Sequence, residues 1–165
     1  MQIFIRNKNT LLFDEFKFKC STGKKGHTSN KKEGDHMTPR GIYKIGPLFY
    51  RKDKYPNVNT RLEKKIIKKE MGWCDDVRSK YYNKLIKINK QTKHRHEKLY
   101  RNDRKYDLLV PIHYNTKKPK KNKGSAIFIH LTNSYKKTLG CVALNKKDLL
   151  ILLKLINKNT KIKIS

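Results

Sequence analysis

Apolar residues in this chain recur in short alternating runs rather than at helical spacing. Residues 2–6 carry Ile3, Phe4 and Ile5, and residues 11–20 carry Leu11, Leu12, Phe13, Phe16, Phe18 and Cys20. The Asn7-Lys8-Asn9 stretch between them reads as a turn, so the pattern predicts an opening β-hairpin. Ser21 to Glu33 is Gly, Ser, Thr and Lys, which reads as a polar loop. Gly34 to Gly41 is a Pro-containing turn that leads into a strand at Ile42-Tyr43-Lys44-Ile45. Residues 50–70 are Lys-rich without a period, and Gly72 to Asn83 is an aromatic-rich segment of irregular character. Residues 88–98 read as an exposed charged loop, Tyr106 to Tyr114 as a strand, and Thr116 to Lys123 as a solvated basic loop.

The best strand is Gly124 to His130. Ala126, Phe128 and His130 share one face and Ile127 and Ile129 the other. Apolar residues on both faces imply a central strand buried on two sides. Asn145 is a good N-cap with Asp148 three residues on, and Leu149 to Ile156 is apolar enough for a helix ending near Asn157-Lys158-Asn159. Lys161 to Ser165 alternates and closes a sheet as a final strand. There is no internal repeat and no linker, so the expectation is one mainly β domain over 1–165 with a C-terminal helix packed on it.

Composition narrows the function classes. A length of 165 residues suits one domain and buries roughly two-thirds of the unfolded surface. Apolar residues are 36% and aromatics 10%, too many for a disordered polycation. No apolar run approaches the ~20 residues of a membrane helix, so no transmembrane segment is expected. Met1 leads directly into Gln-Ile-Phe-Ile-Arg, with no basic region before an apolar one, so no signal peptide is visible.

The net charge is +29, which first suggests a nucleic-acid or polyanion partner. Of the 42 basic residues, however, 34 are Lys and only 8 Arg. Bidentate recognition of phosphate and guanine favours Arg. Lys, Asn and Ile are all abundant here and all have A/T-rich codons, so base composition alone accounts for such a surface. No specific nucleic-acid partner is therefore expected.

Cys20, Cys74 and Cys141 are far apart and form no C-x-x-C motif. Cys20 sits in the alternating segment as a small core residue. Cys74 follows Gly72-Trp73 and suits either core or cleft. Cys141 follows Gly140 in Thr138-Leu139-Gly140-Cys141-Val142-Ala143-Leu144, and His130 lies eleven residues upstream. A glycine before a nucleophile permits a sharp turn and leaves amide N–H groups of Gly140 and Cys141 to face a reacting carbonyl. An imidazole within ~3 Å of a thiol takes its proton and returns it later. In such a thiolate–imidazolium pair the Cys pKa falls from ~8.5 toward neutrality. A buried structural Cys with a core His fits the same residues.

The segment from Gly124 to Leu150 resembles the signature of the L,D-transpeptidase catalytic domain, the YkuD or ErfK/YbiS family: a His, a short variable loop, then Ser/Thr-x-Gly-Cys. Three further segments resemble one branch of it. They are Glu33-Gly34-Asp35-His36-Met37-Thr38-Pro39-Arg40-Gly41-Ile42-Tyr43; Met71-Gly72-Trp73-Cys74-Asp75-Asp76 with Tyr82-Asn83; and Glu97-Lys98-Leu99-Tyr100-Arg101 through Tyr106-Asp107 to Tyr114-Asn115. The blocks run in order from about residue 10 to the C-terminus.

The resemblance implies a mainly β sandwich and a cysteine acyl transferase with no cofactor and no metal. Carried over by position, Cys141 is the nucleophile, His130 the general base and acid, and the backbone at Gly140 and Cys141 the oxyanion hole. The implied donor is a peptidoglycan tetrapeptide stem, cleaved after meso-diaminopimelate with loss of D-Ala. The acyl group passes to an amine of a second stem. Peptidoglycan stems are thus the implied partners, the cell envelope or periplasm the implied location, and carbapenems the implied covalent inhibitors. Many members have His and Arg where this chain has Leu139 and Ala143.

Trp73, Thr138, Leu139 and Ser125 are candidates to line the substrate cleft, although Trp73 suits core packing equally well. His113 is a candidate partner for His130, with a plain surface or core His as the simpler reading. His94 and His96 lack a third ligand and read as solvated. Asp75 and Asp76, like Gly34 and Asp35, read as turn or cap residues. Two other functions fit the residues: an L,D-carboxypeptidase with water as acceptor, and a non-catalytic basic protein that binds a polyanion.

Overall fold

The computed structural model describes residues 1–165. The chain opens with β1 (Gln2–Arg6), β2 (Thr10–Phe13) and β3 (Phe16–Lys19), then β4 (His27–Thr28), β5 (Thr38–Pro39), β6 (Gly41–Lys44) and β7 (Leu48–Tyr50). The middle holds β8 (Lys64–Ile66), β9 (Met71–Cys74), β10 (Leu85–Lys87), β11 (His96–Lys98) and β12 (Leu108–Pro111). Then come β13 (Phe128–Leu131), β14 (Val142–Leu144), the helix α1 (Lys146–Leu155) and β15 (Lys161–Ile164).

The opening apolar segments form a three-stranded meander rather than one hairpin. Asp14 takes a left-handed φ of 49° and cuts the second run in two. Aspartate tolerates that conformation because its short side chain clashes little, a signal the alternation alone does not carry. The C-terminal alternating segment becomes β15, parallel to β1 and antiparallel to β6. The first sheet therefore runs β3-β2-β1-β15-β6 and joins both chain ends.

The second sheet runs β14-β13-β12-β7-β8. One face packs on the first sheet through Ile129, Leu131, Val110, Val142 and Leu144, which meet Ile3, Ile5, Leu11, Ile162 and Ile164 in the larger core. The helix seals this sandwich with Leu149, Leu152 and Leu153. Its start is as read: the Asn145 side chain accepts from the Asp148 N–H at 2.8 Å. The opposite face of the second sheet presents Phe49, Leu109 and Phe128 to a separate cluster with Trp73, Leu99 and Tyr106. Trp73 and Leu99 come from around the small sheet β10-β9-β11. The architecture is thus a mainly β sandwich with one C-terminal helix and a smaller β layer over the far face of its central sheet. No helix is long and apolar enough to cross a membrane.

Three local readings change. The central strand begins at Phe128 rather than Gly124, because Gly124 and Ala126 both take positive φ, 92° and 51°. The charged stretch 88–98 contributes β11, whose partner β9 supplies the hydrogen bonds that charge alone did not foretell. The polar stretch 21–33 is largely not solvated. Ser21, Thr22, His27 and Lys31 are buried. Ser21 exchanges backbone hydrogen bonds with Ala143, and Thr22 and Lys24 bracket Thr138, so this segment covers the free edge of β14. Backbone partners satisfy the main-chain groups at this edge, which lets a hydrophilic segment be buried, while the buried Ser21 hydroxyl oxygen has no hydrogen-bond partner.

Candidate active site

The second cluster contains one reactive group, the thiol of Cys141. Strands β13 and β14 are parallel, with Ile129 opposite Val142 and His130 opposite Ala143. Extending that register by one residue sets Cys141 opposite Phe128. The Phe128 N–H accordingly points at the sulfur, 3.3 Å away. Strand alternation gives Phe128, His130, Cys141 and Ala143 one face. His130 and Cys141 are therefore diagonal neighbours on that face, away from the main core.

The sulfur does not hydrogen-bond to the imidazole. Its S–H donates to the Ala126 carbonyl at 3.2 Å. Ala126 is aimed there by its left-handed backbone, and its own N–H donates to the Asn83 side-chain oxygen at 3.0 Å. Trp73 Nε1 donates to the same oxygen at 2.9 Å. The Asn83 amide donates in turn to the carbonyls of Tyr114 and Asn115. One buried asparagine thus ties together the tryptophan, the lead into β13 and the resting position of the thiol.

His130 is held at its other nitrogen. Nδ1 lies 2.8 Å from the Leu131 carbonyl. A carbonyl only accepts, so Nδ1 carries the hydrogen and Nε2 the lone pair. Tyr106 packs edge-on against the ring with centroids 5.3 Å apart.

Burial decides the charge state of both groups. It pushes the Cys141 thiol up to about 12, with Glu97 adding to the rise. It pulls His130 down to about 4, against the Leu131 hydrogen bond, which works the other way. The expected ion pair with a thiol near neutrality is not the resting state. Desolvation penalises each charged form more than the surroundings compensate, and the pair rests as neutral thiol and neutral imidazole.

Around the sulfur, Gly140 has φ of 143°, and a Cβ there would lie 3.0 Å from the Met37 carbonyl. Only glycine fits. The Gly140 N–H is taken by Thr138 Oγ1 at 3.1 Å, while the Thr138 hydroxyl donates to the Cys141 carbonyl at 2.6 Å. The Cys141 N–H has no intramolecular acceptor. Leu139 is 65% exposed beside this turn. Ser125 is buried, and its hydroxyl donates to Glu33 at 2.8 Å. Trp73 is also buried, edge-on to Phe128, while its rim reaches a groove of about 680 Å³ shared with Ile42 and His113.

The remaining candidates lie apart from the thiol or serve the fold. His113 is in that groove, 3.4 Å from Thr116 Oγ1 and without a bond to His130. His94 packs edge-on against Tyr81, and His96 bonds the His94 carbonyl. No group of three or more His, Cys, Asp or Glu side chains has metal-site geometry. Asp75 pairs with Arg95, and Asp76 accepts from the Arg78 and Arg95 N–H groups as a turn residue. Asp35 accepts from the Lys32 and Met37 N–H groups and pairs with Lys31. Cys20 and Cys74 are buried free thiols.

Sequence reasoning passed over Asn83, Glu97 and Tyr106 as participants. Tyr106 donates its hydroxyl hydrogen bond to Glu97. A lone Glu in the basic stretch 88–98 looks like a solvated charge, and only the folding of β11 against β9 brings it inward. Comparison with known proteins bears on the whole span. A model of the YkuD family, the L,D-transpeptidase catalytic domain, matches residues 2–164. No curated protein matches the chain.

Proposed function

This chain belongs to the L,D-transpeptidase catalytic domain family, and from that membership we propose that it is a single-domain cysteine acyl transferase acting on peptidoglycan stem peptides. The family makes it a cell-wall-related enzyme of L,D-transpeptidase type. The proposed reaction is attack on a tetrapeptide stem after meso-diaminopimelate, release of D-Ala, and transfer of the acyl group to an amine of another stem. The envelope, where peptidoglycan lies, is its place of action.

One observation carries this reading: His130 and Cys141 share a face of adjacent parallel strands, with the histidine tautomer held by the Leu131 carbonyl. The donor carbonyl seats beside the sulfur as the S–H turns from Ala126 toward Nε2. The proton passes to Nε2 while the sulfur–carbon bond forms, so the charged pair exists only when the substrate is in place. Oxyanion charge falls near the Cys141 N–H. The intermediate collapses with rupture of the bond to D-Ala, whose nitrogen takes the proton from Nε2. A thioester on Cys141 and a neutral imidazole remain. No cofactor enters these steps.

The test is incubation with a purified tetrapeptide muropeptide and with a carbapenem, products and protein being read by mass. Wild type gains one covalent carbapenem adduct and yields cross-linked dimer; Cys141→Ala does neither, and His130→Gln acylates at least 10²-fold more slowly. Tripeptide as the sole product means water is the acceptor. An unmodified wild-type protein ends the acyl-enzyme reading.

A further inference from the structure

Transfer to an amine poses a proton problem that transfer to water does not. A stem amine is an ammonium ion at neutral pH. It loses one proton before it attacks and a second as the tetrahedral intermediate becomes an amide. The neutral imidazole left after acylation takes only one. Water enters already neutral, so a single base is enough for hydrolysis.

The structure has one further carboxylate whose charge is felt at the sulfur, Glu97. It sits on β11 opposite Trp73 of the thiol cluster. Its Oε2 accepts from the Tyr106 hydroxyl, and Tyr106 packs on the His130 ring. Its Oε1 has no hydrogen-bond partner within the chain, and the residue is part-buried. The charges acting on Glu97 are Asp75 and Glu33, which oppose its ionisation, and Arg101, which favours it; Tyr106 also favours the ionised form through its hydrogen bond. Such a surrounding favours a cation at this spot in a chain that is otherwise strongly basic.

We propose that Glu97 is the acceptor-side base, binding the acceptor ammonium through Oε1 and taking its first proton. The inference rests on the transferase reading above. The amine so freed attacks the thioester carbon, and its second proton passes to His130 Nε2. The C–S bond breaks, the sulfur recovers that proton, and Glu97 releases the first to solvent. Burial moves the Glu97 carboxyl up from its ordinary value, toward the range where a base works near neutral pH.

Glu97→Gln separates this role from a structural one, because its two expected effects oppose each other. Removing the negative charge lowers the cost of forming the thiolate, so the carbapenem adduct forms faster. Transfer to an alkylammonium acceptor slows roughly 10²-fold. Transfer to O-methylhydroxylamine, neutral at the assay pH, keeps its wild-type rate. Equal losses with both acceptors, or no loss with either, overturn the proposal. Tyr106→Phe supplies a second readout: without the hydroxyl donor the Glu97 carboxyl rises further, and the acid limb of alkylammonium transfer moves to higher pH. An unmoved limb also overturns it. Absence of any thioester adduct on wild type instead brings down the transferase reading, and this proposal with it.

Discussion

At the scale of single residues, the neutral resting state of Cys141 and His130 has a measurable consequence. Unfolded His130 titrates near 6.5, whereas the folded ring stays neutral until about 4. Between those values the unfolded chain binds a proton that the folded chain does not, so stability falls as pH drops through that window. The loss is on the order of 3 kcal/mol at most. At the alkaline end, unfolded thiols ionise near 9.0, while buried Cys20 and Cys141 hold their protons to about 12. There the unfolded chain has fewer protons, and stability falls as pH rises. Urea unfolding across pH checks both limbs. His130→Gln makes the acid limb shallower, leaving the shares of His27 and His113, and Cys141→Ala removes part of the alkaline one, leaving the shares of Cys20 and Tyr82.

At the scale of elements, the lead into β13 decides where the thiol rests. Asn83 and Ala126 are both left-handed, with φ of 56° and 51°. Non-glycine residues bear that conformation at a cost that surrounding contacts must offset. The contacts are the two hydrogen bonds into Asn83 Oδ1, from Ala126 and Trp73. Asn83→Ala leaves those two donors without their acceptor and is expected to cost about 2–4 kcal/mol. With the Ala126 carbonyl released, the sulfur is no longer held inward. Alkylation at Cys141, read by peptide mass against Cys20 and Cys74, becomes faster than in wild type. An unchanged rate shows that Ala126 does not set the position of the thiol. Alternation along Gly124 to His130 revealed which side chains share a face but not this kink, since a face pattern contains no information on φ at a residue whose partner is 43 positions away.

At the scale of the whole molecule, the charge of +29 is a load on the fold. Like charges repel in the compact state, and salt screens them over a Debye length of ~8–10 Å. The unfolding temperature is therefore expected to rise by a few degrees with added sodium chloride, which calorimetry reads directly. An exposed pair such as Lys65–Glu63 adds little to this balance, at most ~1 kcal/mol.

What the residues determined unaided was what local patterning encodes. A period of two, the cap at Asn145, glycine before Cys141 and apolar residues on both faces of 124–130 each follow from the geometry of a few neighbouring residues. They were enough for a mainly β domain, one helix, and a histidine and cysteine worth pairing. Only the tertiary structure decided how β13 and β14 align, that a polar stretch folds under to cover a strand edge, and that the paired groups rest uncharged. It also decided that Glu97 turns inward. These depend on contacts between distant segments and on how much water each group loses, and neither quantity is written in any short window of the chain.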